Sequence, residues 1–102
     1  MSLFRKSYRT VGVTEARKQI AAGALLIDVR SAGEWKSGHA AGARHVPLDT
    51  LESKLSTLPA GANVVTICHT GMRSASAART LAKHGFTVSS VRGGMIAWNN
   101  TK

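Results

Sequence analysis

The chain contains a single cysteine, Cys68, and the residues around it indicate a sulfur that can act as a nucleophile. An apolar run over residues 64–67 leads into Cys68, and the segment 69–74 that follows leads into an alanine-rich stretch. A loop between a strand and a helix aims the thiol at backbone N–H groups and at the positive end of the helix dipole, and both favour a thiolate. This placement predicts a reactive Cys68, although a lone cysteine at a strand end can also be buried apolar packing.

Several residues after Cys68 have types that suit an anionic substrate. Gly71 lets the backbone turn tightly around the sulfur. A cation in the first turn of a helix is unfavourable to the helix dipole, so Arg73 indicates an anion nearby, and we favour substrate binding by Arg73 over an ordinary surface role. Thr70 and Ser74 can hydrogen-bond the sulfur or cap the following helix, and capping is the default for Ser74.

His69 and Met72 complete the loop, and their types leave more than one role open. His69 could assist donor binding or face solvent, and the sequence does not decide between the two. Met72 could form an apolar rim for the acceptor or pack against its neighbours, and packing is slightly favoured. We therefore predict Cys68 as the catalytic residue and residues 69–74 as substrate-binding.

The charges are distributed unevenly along the chain. The net charge is +9 and all five acidic residues lie in the first 52 positions, so every charged side chain beyond Glu52 is Lys or Arg. A positive field over the half that carries Cys68 would attract anions and stabilise a thiolate. Only 5% of the residues are aromatic, and no basic, aromatic-rich stripe offers a base-stacking surface, so nucleic acid is not expected as the main partner.

The length of 102 residues and the apolar content of 43% suit one compact domain with one modest core. We predict a loose N-terminal arm over residues 1–10 and a single domain over residues 11–102. The first residues lack the apolar region of a secretory signal, and no stretch approaches the roughly 18 apolar residues of a membrane helix, so a soluble, cytoplasmic protein is expected. One cysteine and no paired histidine motif call for neither a disulfide nor a metal, and no cofactor is expected.

Strands and helices alternate along the predicted domain, which is typical of a parallel sheet between helix layers with right-handed crossovers. Ligands in such folds bind outside the carboxyl ends of the strands, where Cys68 is expected. Ser31 and Glu34 form a capping-box pattern. The predicted elements, in order, are a strand over 11–13, a helix capped by Thr14 and ended by Gly23, a strand over 25–29, a short helix from Ser31, a strand over 43–46, a helix opened by Asp49, a strand over 64–67, a helix over 73–84, a strand over 88–91 and a helix through 95–98.

Five groups of residues, taken in order, resemble the single-domain rhodaneses, a family of sulfurtransferases. The groups are Asp28-Val29-Arg30 with Glu34-Trp35, the segment 38–47, the segment 68–74, Ala77-Ala78 with Leu81, and Gly93-Gly94 with Trp98. Each group alone is a weak signal, whereas the ordered set is specific. The resemblance implies a five-stranded parallel sheet between helices, and an architectural polar cluster of Asp28, Arg30 and Glu34 that holds the loops near the site.

The resemblance also implies a two-step sulfur transfer. Cys68 would attack the outer sulfur of an anionic donor such as thiosulfate, release sulfite and carry the sulfur as a persulfide, which cyanide or a thiol then removes. The N–H groups of residues 69–73 would surround the sulfur and stabilise its negative charge. The loop from Cys68 to Arg73 has six residues, as in the sulfur-transferring members, whereas related cysteine phosphatases have one more residue, so sulfur is favoured over phosphate.

Two other functions stay open at this point. One is a regulatory, docking or redox-sensing module that keeps the fold, although a retained Cys68 in a complete loop argues against a purely non-catalytic version. The other is an arsenate or phosphate enzyme, which the loop length disfavours. The expected partners are a small anionic sulfur donor, a thiol or cyanide acceptor, and an acidic protein of a sulfur relay.

Overall fold

The computed structural model describes residues 7–101, and its centre is a parallel sheet of five strands. The strands lie in the spatial order β1, β5, β4, β2, β3, and every neighbouring pair is parallel. This arrangement confirms the predicted fold class. The strands are β1 (Arg9–Val11), β2 (Leu25–Asp28), β3 (Arg44–His45), β4 (Asn63–Ile67) and β5 (Thr87–Val91).

Helices connect the strands and cover both faces of the sheet. They are α1 (Val13–Ala21), α2 (Ala32–Lys36), α3 (Leu51–Lys54), α4 (Met72–Lys83) and α5 (Gly94–Asn100), with 3₁₀ turns over Leu48–Thr50 and Leu55–Thr57 on either side of α3. Within residues 7–101, no helix is both long enough and apolar enough to cross a bilayer.

Successive residues of the central strands face opposite sides of the sheet, so each side has its own apolar core. On one side Ile27 and Val64 pack with residues of α3 and α4, including Leu81, and Cys68 belongs to this core. On the other side Leu26 packs with residues of α1 and α5. The continuous apolar run at 25–29 predicted a strand buried on both faces, and the two cores account for that pattern.

The first two predicted elements differ from those of the structure. The first strand was predicted over 11–13, but β1 ends at Val11 and Val13 begins α1, because extended Gly12 turns the chain and acts as the N-cap. Thr14 therefore lies inside α1 and does not cap it. Residues 1–6 of the predicted arm lie outside the described residues, and the predicted domain limits of 1–10 and 11–102 stay a prediction.

The helix predicted to open at Asp49 is divided into three short pieces. The hydroxyls of Thr50 and Thr57 donate to the carbonyls of Pro47 and Lys54, three residues earlier. Such local hydrogen bonds compete with the regular helical pattern, which explains why α3 is only one turn long. Leu51 is nevertheless buried in the core beside α4.

Candidate active site

The Cys68 loop lies at the carboxyl end of β4, the strand that lies between β2 and β5. Cys68 directly follows β4, and α4 begins at Met72 with Gly71 as its N-cap. Gly71 has φ +123°, a conformation that residues with a side chain rarely adopt, so the tight turn requires a glycine there. The predicted strand, loop and helix around the cysteine are therefore present.

The first turn of α5 packs against the backbone of the Cys68 loop and donates hydrogen bonds to it. The amide of Met95 donates to the carbonyl oxygen of Cys68 at 2.7 Å, and the amide of Ile96 donates to that of His69 at 3.3 Å. Gly94 lies so close to the same carbonyls that a Cβ at this position would overlap them. The second glycine of the Gly93-Gly94 pair thus lets α5 contact the backbone of the loop directly.

The sulfur of Cys68 faces inward and the residue is only 1% exposed. The N–H of Gly71 donates to Sγ at 3.0 Å, and the thiol lies 3.5 Å from Oγ of Ser74. The predicted ring of amides from residues 69–73 is incomplete, because Gly71 supplies the one amide that hydrogen-bonds Sγ among residues 7–101. Sγ instead has the buried hydroxyl of Ser74 as its second neighbour, and Cys68 belongs to the core on this side of the sheet.

Ser74 joins the sulfur to the interior of the sheet. It is the third residue of α4 and is fully buried, with Oγ 3.0 Å from the carbonyl oxygen of Gly71 and 2.8 Å from Oγ of Ser90 in β5. The predicted capping role is wrong, because the N-cap is Gly71 and the Ser74 side chain points into the core. Of the two roles that the sequence left open for Ser74, the structure has the hydrogen bond to sulfur.

The buried face of α4 also differs from the prediction in part. The sequence predicts that the inward-facing residues are Ala75, Ala78, Leu81 and Ala82. In the structure Ala78 and Leu81 are buried as predicted, together with Ser74 and Ala77 in place of the other two. The buried stripe includes a polar residue because Ser74 meets hydroxyl groups on the sheet: besides Ser90, Thr66 of β4 donates to the Ser74 carbonyl at 2.9 Å. An alanine-based apolar pattern has no signal for this polar contact.

Arg73 forms a two-pronged ion pair with Glu34 of α2. Its Nη1 and Nη2 lie 2.6 and 2.8 Å from Oε1 and Oε2, and each side chain is about one-third exposed. The Arg73 guanidinium holds the pKa of the Glu34 carboxyl well below its usual range, and the backbone N–H of Ser31 acts in the same direction. In return Glu34 raises the pKa of Arg73, with smaller contributions from Cys68 and Asp28. Arg73 therefore lies near the sulfur but has a partner already.

The predicted polar cluster of Asp28, Arg30 and Glu34 separates into two ion pairs. Arg30 donates to both carboxylate oxygens of Asp28 at 2.8 to 3.0 Å, and both residues are buried. Arg30 also donates to the carbonyl oxygen of Gly38 at 2.7 Å and so fixes the turn after α2. Glu34 instead belongs to the Arg73 pair, because α2 presents it toward α4. The predicted capping box of Ser31 and Glu34 is confirmed.

Trp35 and two histidines form a stack that sequence reasoning missed. The Trp35 ring is 3.5 Å from the His39 ring and 4.7 Å from the His45 ring, and both pairs are nearly parallel. A ring nitrogen of His39 lies 2.9 Å from the Trp35 carbonyl oxygen, and one of His45 lies 2.8 Å from that of Arg30. The spacing of four residues between Trp35 and His39 was the available signal. This stack steadies α2, the helix that carries Glu34.

The outer surface of the loop is open and partly apolar. His69 and Thr70 are exposed, and Met72 is 83% exposed, so the predicted packing role of Met72 is wrong. As the first residue of α4, Met72 points away from the core that Ser74 enters. Ile96 of α5 is 48% exposed, and within residues 7–101 these two are the large apolar side chains that face solvent.

A cavity of about 320 Å³ lies beside the loop and is lined by Arg30, by the turn that follows α2, by the loop and by α5. Its lining includes His39, His69 and Ile96 but not Cys68, so the sulfur does not open into it. A larger cavity of about 460 Å³ lies at the amino ends of β4 and β5, where Asn63 and Thr87 line it, and is therefore remote from the sulfur. Among the described residues, no three His, Cys, Asp or Glu side chains come together as a metal site.

Comparison with known proteins identifies relatives over most of the chain. The putative sulfur carrier protein YrkF of Bacillus subtilis is 39% identical over 74 residues, which are 72% of this chain and 40% of YrkF. The chain also spans 60% of another Bacillus subtilis relative, at 38% identity. The thiosulfate sulfurtransferase GlpE of Pseudomonas putida is 36% identical over 88 residues, with 85% of this chain and 78% of GlpE aligned.

The fold comparison agrees with the sequence comparison. A rhodanese-related protein from Thermoplasma volcanium superimposes with a TM-score of 0.83 at 29% identity, over 91% of this chain and 92% of that protein. A family model described as the rhodanese-like domain matches residues 12–101. The cysteine loop, the five-stranded parallel sheet and these matches together assign the chain to the rhodanese-like family, as its sequence motifs predicted.

Proposed function

We propose that the protein is a sulfurtransferase that carries sulfane sulfur as a persulfide on Cys68. The observation that supports this proposal most strongly is the hydrogen bond that the Gly71 amide donates to Sγ at the N-terminus of α4. A hydrogen bond from a fixed amide and the nearby positive end of a helix stabilise a thiolate, the form of cysteine that attacks sulfur. Relatives that carry the same domain are named sulfurtransferases and sulfur carriers.

The proposed reaction has two displacements at sulfur. In the first, the Cys68 thiolate attacks the outer sulfur of thiosulfate or a similar anionic donor; a new S–S bond forms, the donor S–S bond breaks, and sulfite leaves with the electron pair. In the second, cyanide or a thiolate attacks the outer sulfur of the persulfide, and Sγ leaves as the original thiolate. Neither step needs a cofactor or an external oxidant, and the two half-reactions predict ping-pong kinetics.

Access to the sulfur requires a movement, since Cys68 is almost completely buried. A change of the Cys68 rotamer would bring Sγ toward the outer side of the loop, where the first-turn amides of Met72 and Arg73 have no hydrogen-bond partner within residues 7–101. Such amides are natural ligands for an anion. We propose that the donor binds there, and that the inward position of Sγ is its resting position.

Arg73 is the proposed cationic contact for the donor. A guanidinium has five N–H donors, and Glu34 uses two of them, so Arg73 can bind an anion without releasing Glu34. The ion pair then has a positioning role, because it holds the long Arg73 side chain in one place beside the loop. The other loop residues proposed for substrate binding are His69, Thr70, Gly71, Met72 and Ser74.

The acceptor side of the reaction is proposed to be a protein thiol in a cytoplasmic sulfur relay. Met72 and Ile96 are exposed apolar residues next to the loop, which suits a docked surface better than a small anion. Every charged residue beyond Glu52 is basic, so a partner with an acidic surface is favoured. The name of YrkF, a putative sulfur carrier, supports a relay role.

Intact mass analysis after thiosulfate treatment tests the proposed persulfide. We expect the wild type to gain one sulfur atom, and Cys68→Ala to gain none. Cys68→Ser, which keeps the size and a polar atom, should lose cyanide-dependent thiocyanate formation while it keeps the native circular dichroism spectrum. If the protein gains no sulfur from thiosulfate or from a persulfide donor, this result would instead support a regulatory, docking or redox-sensing module that does not transfer sulfur. The burial of Cys68 favours that second candidate.

A further inference from the structure

The hydroxyl groups beneath the sulfur have an arrangement that fits both protonation states of Cys68. We infer that Ser90 is a positioning residue for the sulfur: its hydroxyl donates to Ser74, and this frees the single Ser74 proton to serve the thiolate. The inference deepens the proposed function and rests on it only in taking Cys68 as the reacting group. Ser90 lies on β5, is 2% exposed, and has Oγ 2.8 Å from Oγ of Ser74.

The direction of the hydrogen bond between the two serines follows from counting protons. Ser74 Oγ has one proton and three neighbours, namely Sγ of Cys68 at 3.5 Å, Oγ of Ser90 at 2.8 Å and the carbonyl oxygen of Gly71 at 3.0 Å. The carbonyl can only accept, so it takes the Ser74 proton, and the thiol and Ser90 must both donate to Ser74. With the opposite direction, the buried Ser90 proton would have no acceptor within residues 7–101.

The same groups remain satisfied after the sulfur loses its proton. The thiolate can only accept, so the Ser74 hydroxyl turns from the Gly71 carbonyl to Sγ, where it joins the amide of Gly71. The carbonyl that it leaves still accepts the amide of Ala75 at 3.1 Å, so no buried group becomes unpaired. Ser90 donates to Ser74 in both states. Because hydrogen bonds in a buried chain strengthen one another, donation by Ser90 makes Ser74 a better donor to the thiolate.

Alkylation of the only cysteine measures this effect directly. We expect Ser90→Ala to slow iodoacetamide alkylation at pH 7 about three- to tenfold, because this factor corresponds to the loss of one hydrogen bond. The midpoint of the plot of alkylation rate against pH should move to higher pH, while the limiting rate at high pH is unchanged. Ser89→Ala is the matched control, since Ser89 is the neighbouring residue of β5, is 5% exposed and faces the other side of the sheet. Ser89→Ala should therefore leave the pH dependence of the alkylation rate unchanged.

The charged groups around the sulfur are the same in all these variants, so they do not cause the expected difference in alkylation rate. They are the ion pairs of Arg73 with Glu34 and of Asp28 with Arg30, and the titratable neighbour His69 is likewise unchanged. A second variant tests the route through Ser74: in a Ser74→Ala background, Ser90→Ala should have no further effect on the profile. Ser90→Thr, which keeps the hydroxyl, should restore most of the wild-type rate.

Two results would overturn the inference. One is an unchanged profile for a folded Ser90→Ala protein; the other is a lower limiting rate at high pH with an unmoved midpoint, which would mean that Ser90 controls access to the sulfur. Alkylation needs no sulfur donor, so a shifted profile in a protein that never forms a persulfide would refute the proposed function and leave the role of Ser90 intact.

Discussion

Replacing Gly94 with alanine should push the Cys68 loop out of position. Gly94 is the first residue of α5, has φ +56°, and packs directly on the backbone of the loop. A Cβ there would overlap the carbonyl oxygens of both Cys68 and His69, far inside the 3.4 Å of ordinary contact. These are the oxygens that accept the amides of Met95 and Ile96, so the methyl group would separate the loop from the helix that holds it.

The expected size of the effect follows from this overlap. Backbone atoms on both sides must separate by about 1 Å, and misplacement of reacting groups by this distance can cost about 100-fold in rate. We therefore expect kcat/KM for sulfur transfer to fall about 100-fold. The free energy of unfolding should fall by about 2 to 5 kcal/mol, the sum of about 1 to 2 for a side chain at positive φ and about 1 to 3 for overpacking.

Gly61→Ala separates the steric overlap from the backbone strain. Gly61 has φ +70°, close to the value at Gly94, but a Cβ there would have nothing within 4 Å. We expect this control to lose about 1 to 2 kcal/mol of stability and no activity. Urea unfolding gives the stabilities, and the alkylation rate of Cys68 gives a readout without turnover, since a displaced loop should expose the buried sulfur and raise that rate in Gly94→Ala alone.

Equal destabilisation of the two variants, with wild-type kcat/KM and an unchanged alkylation rate in Gly94→Ala, would refute the argument. The close approach of α5 to the loop would then have no part in positioning Cys68. A Gly94→Ala protein that alkylates faster but keeps full activity would show that the loop moves without consequence for the reaction, which also contradicts the expected loss.

The ion pair of Arg73 and Glu34 leads to two further predictions. Arg73→Ala should raise the thiosulfate KM at a cost of about 1 to 3 kcal/mol, and steady-state kinetics that show an unchanged KM would make Arg73 a structural residue. Glu34→Gln should lower the free energy of unfolding by about 1 kcal/mol or less at pH 7, because the pair is partly exposed. Folding lowers the Glu34 pKa, so this contribution is fully present above the ordinary value of 4.5 and is lost progressively as the pH falls from there toward the lowered pKa of the folded state. Urea unfolding at pH 7 and at strongly acidic pH should show that the stability difference between the wild type and Glu34→Gln disappears at the lower pH.

Local patterns were sufficient for two features that depend mainly on neighbours in sequence. The capping box of Ser31 and Glu34 joins residues three apart, and it is present as predicted. The apolar run before Cys68 is a central strand, since β4 pairs with both β2 and β5. The same reasoning failed at Thr14, where a good capping residue lies beside a glycine that takes the N-cap position, because propensity is weaker than the packing of Val13 against the core.

Contacts between distant parts of the chain were outside the reach of such patterns. Glu34 and Arg73 are 39 residues apart, and Ser74 and Ser90 are 16 apart. Each pair meets because right-handed crossovers bring α2 and β5 beside the loop that follows β4. The sequence shows a serine in a buried strand, but it has no signal for which group that hydroxyl must satisfy.

By itself, the sequence determined the parallel α/β fold, the family, and the place of Cys68 at the end of a strand, because these depend on apolar periodicity and on short ordered motifs. The tertiary structure decided the direction of the sulfur, which faces the core, the partner of Arg73, and the need for glycine at position 94. Those three features depend on distances between segments that come together only on folding. No local pattern encodes such distances, since they are set by the packing of the whole core around the sheet.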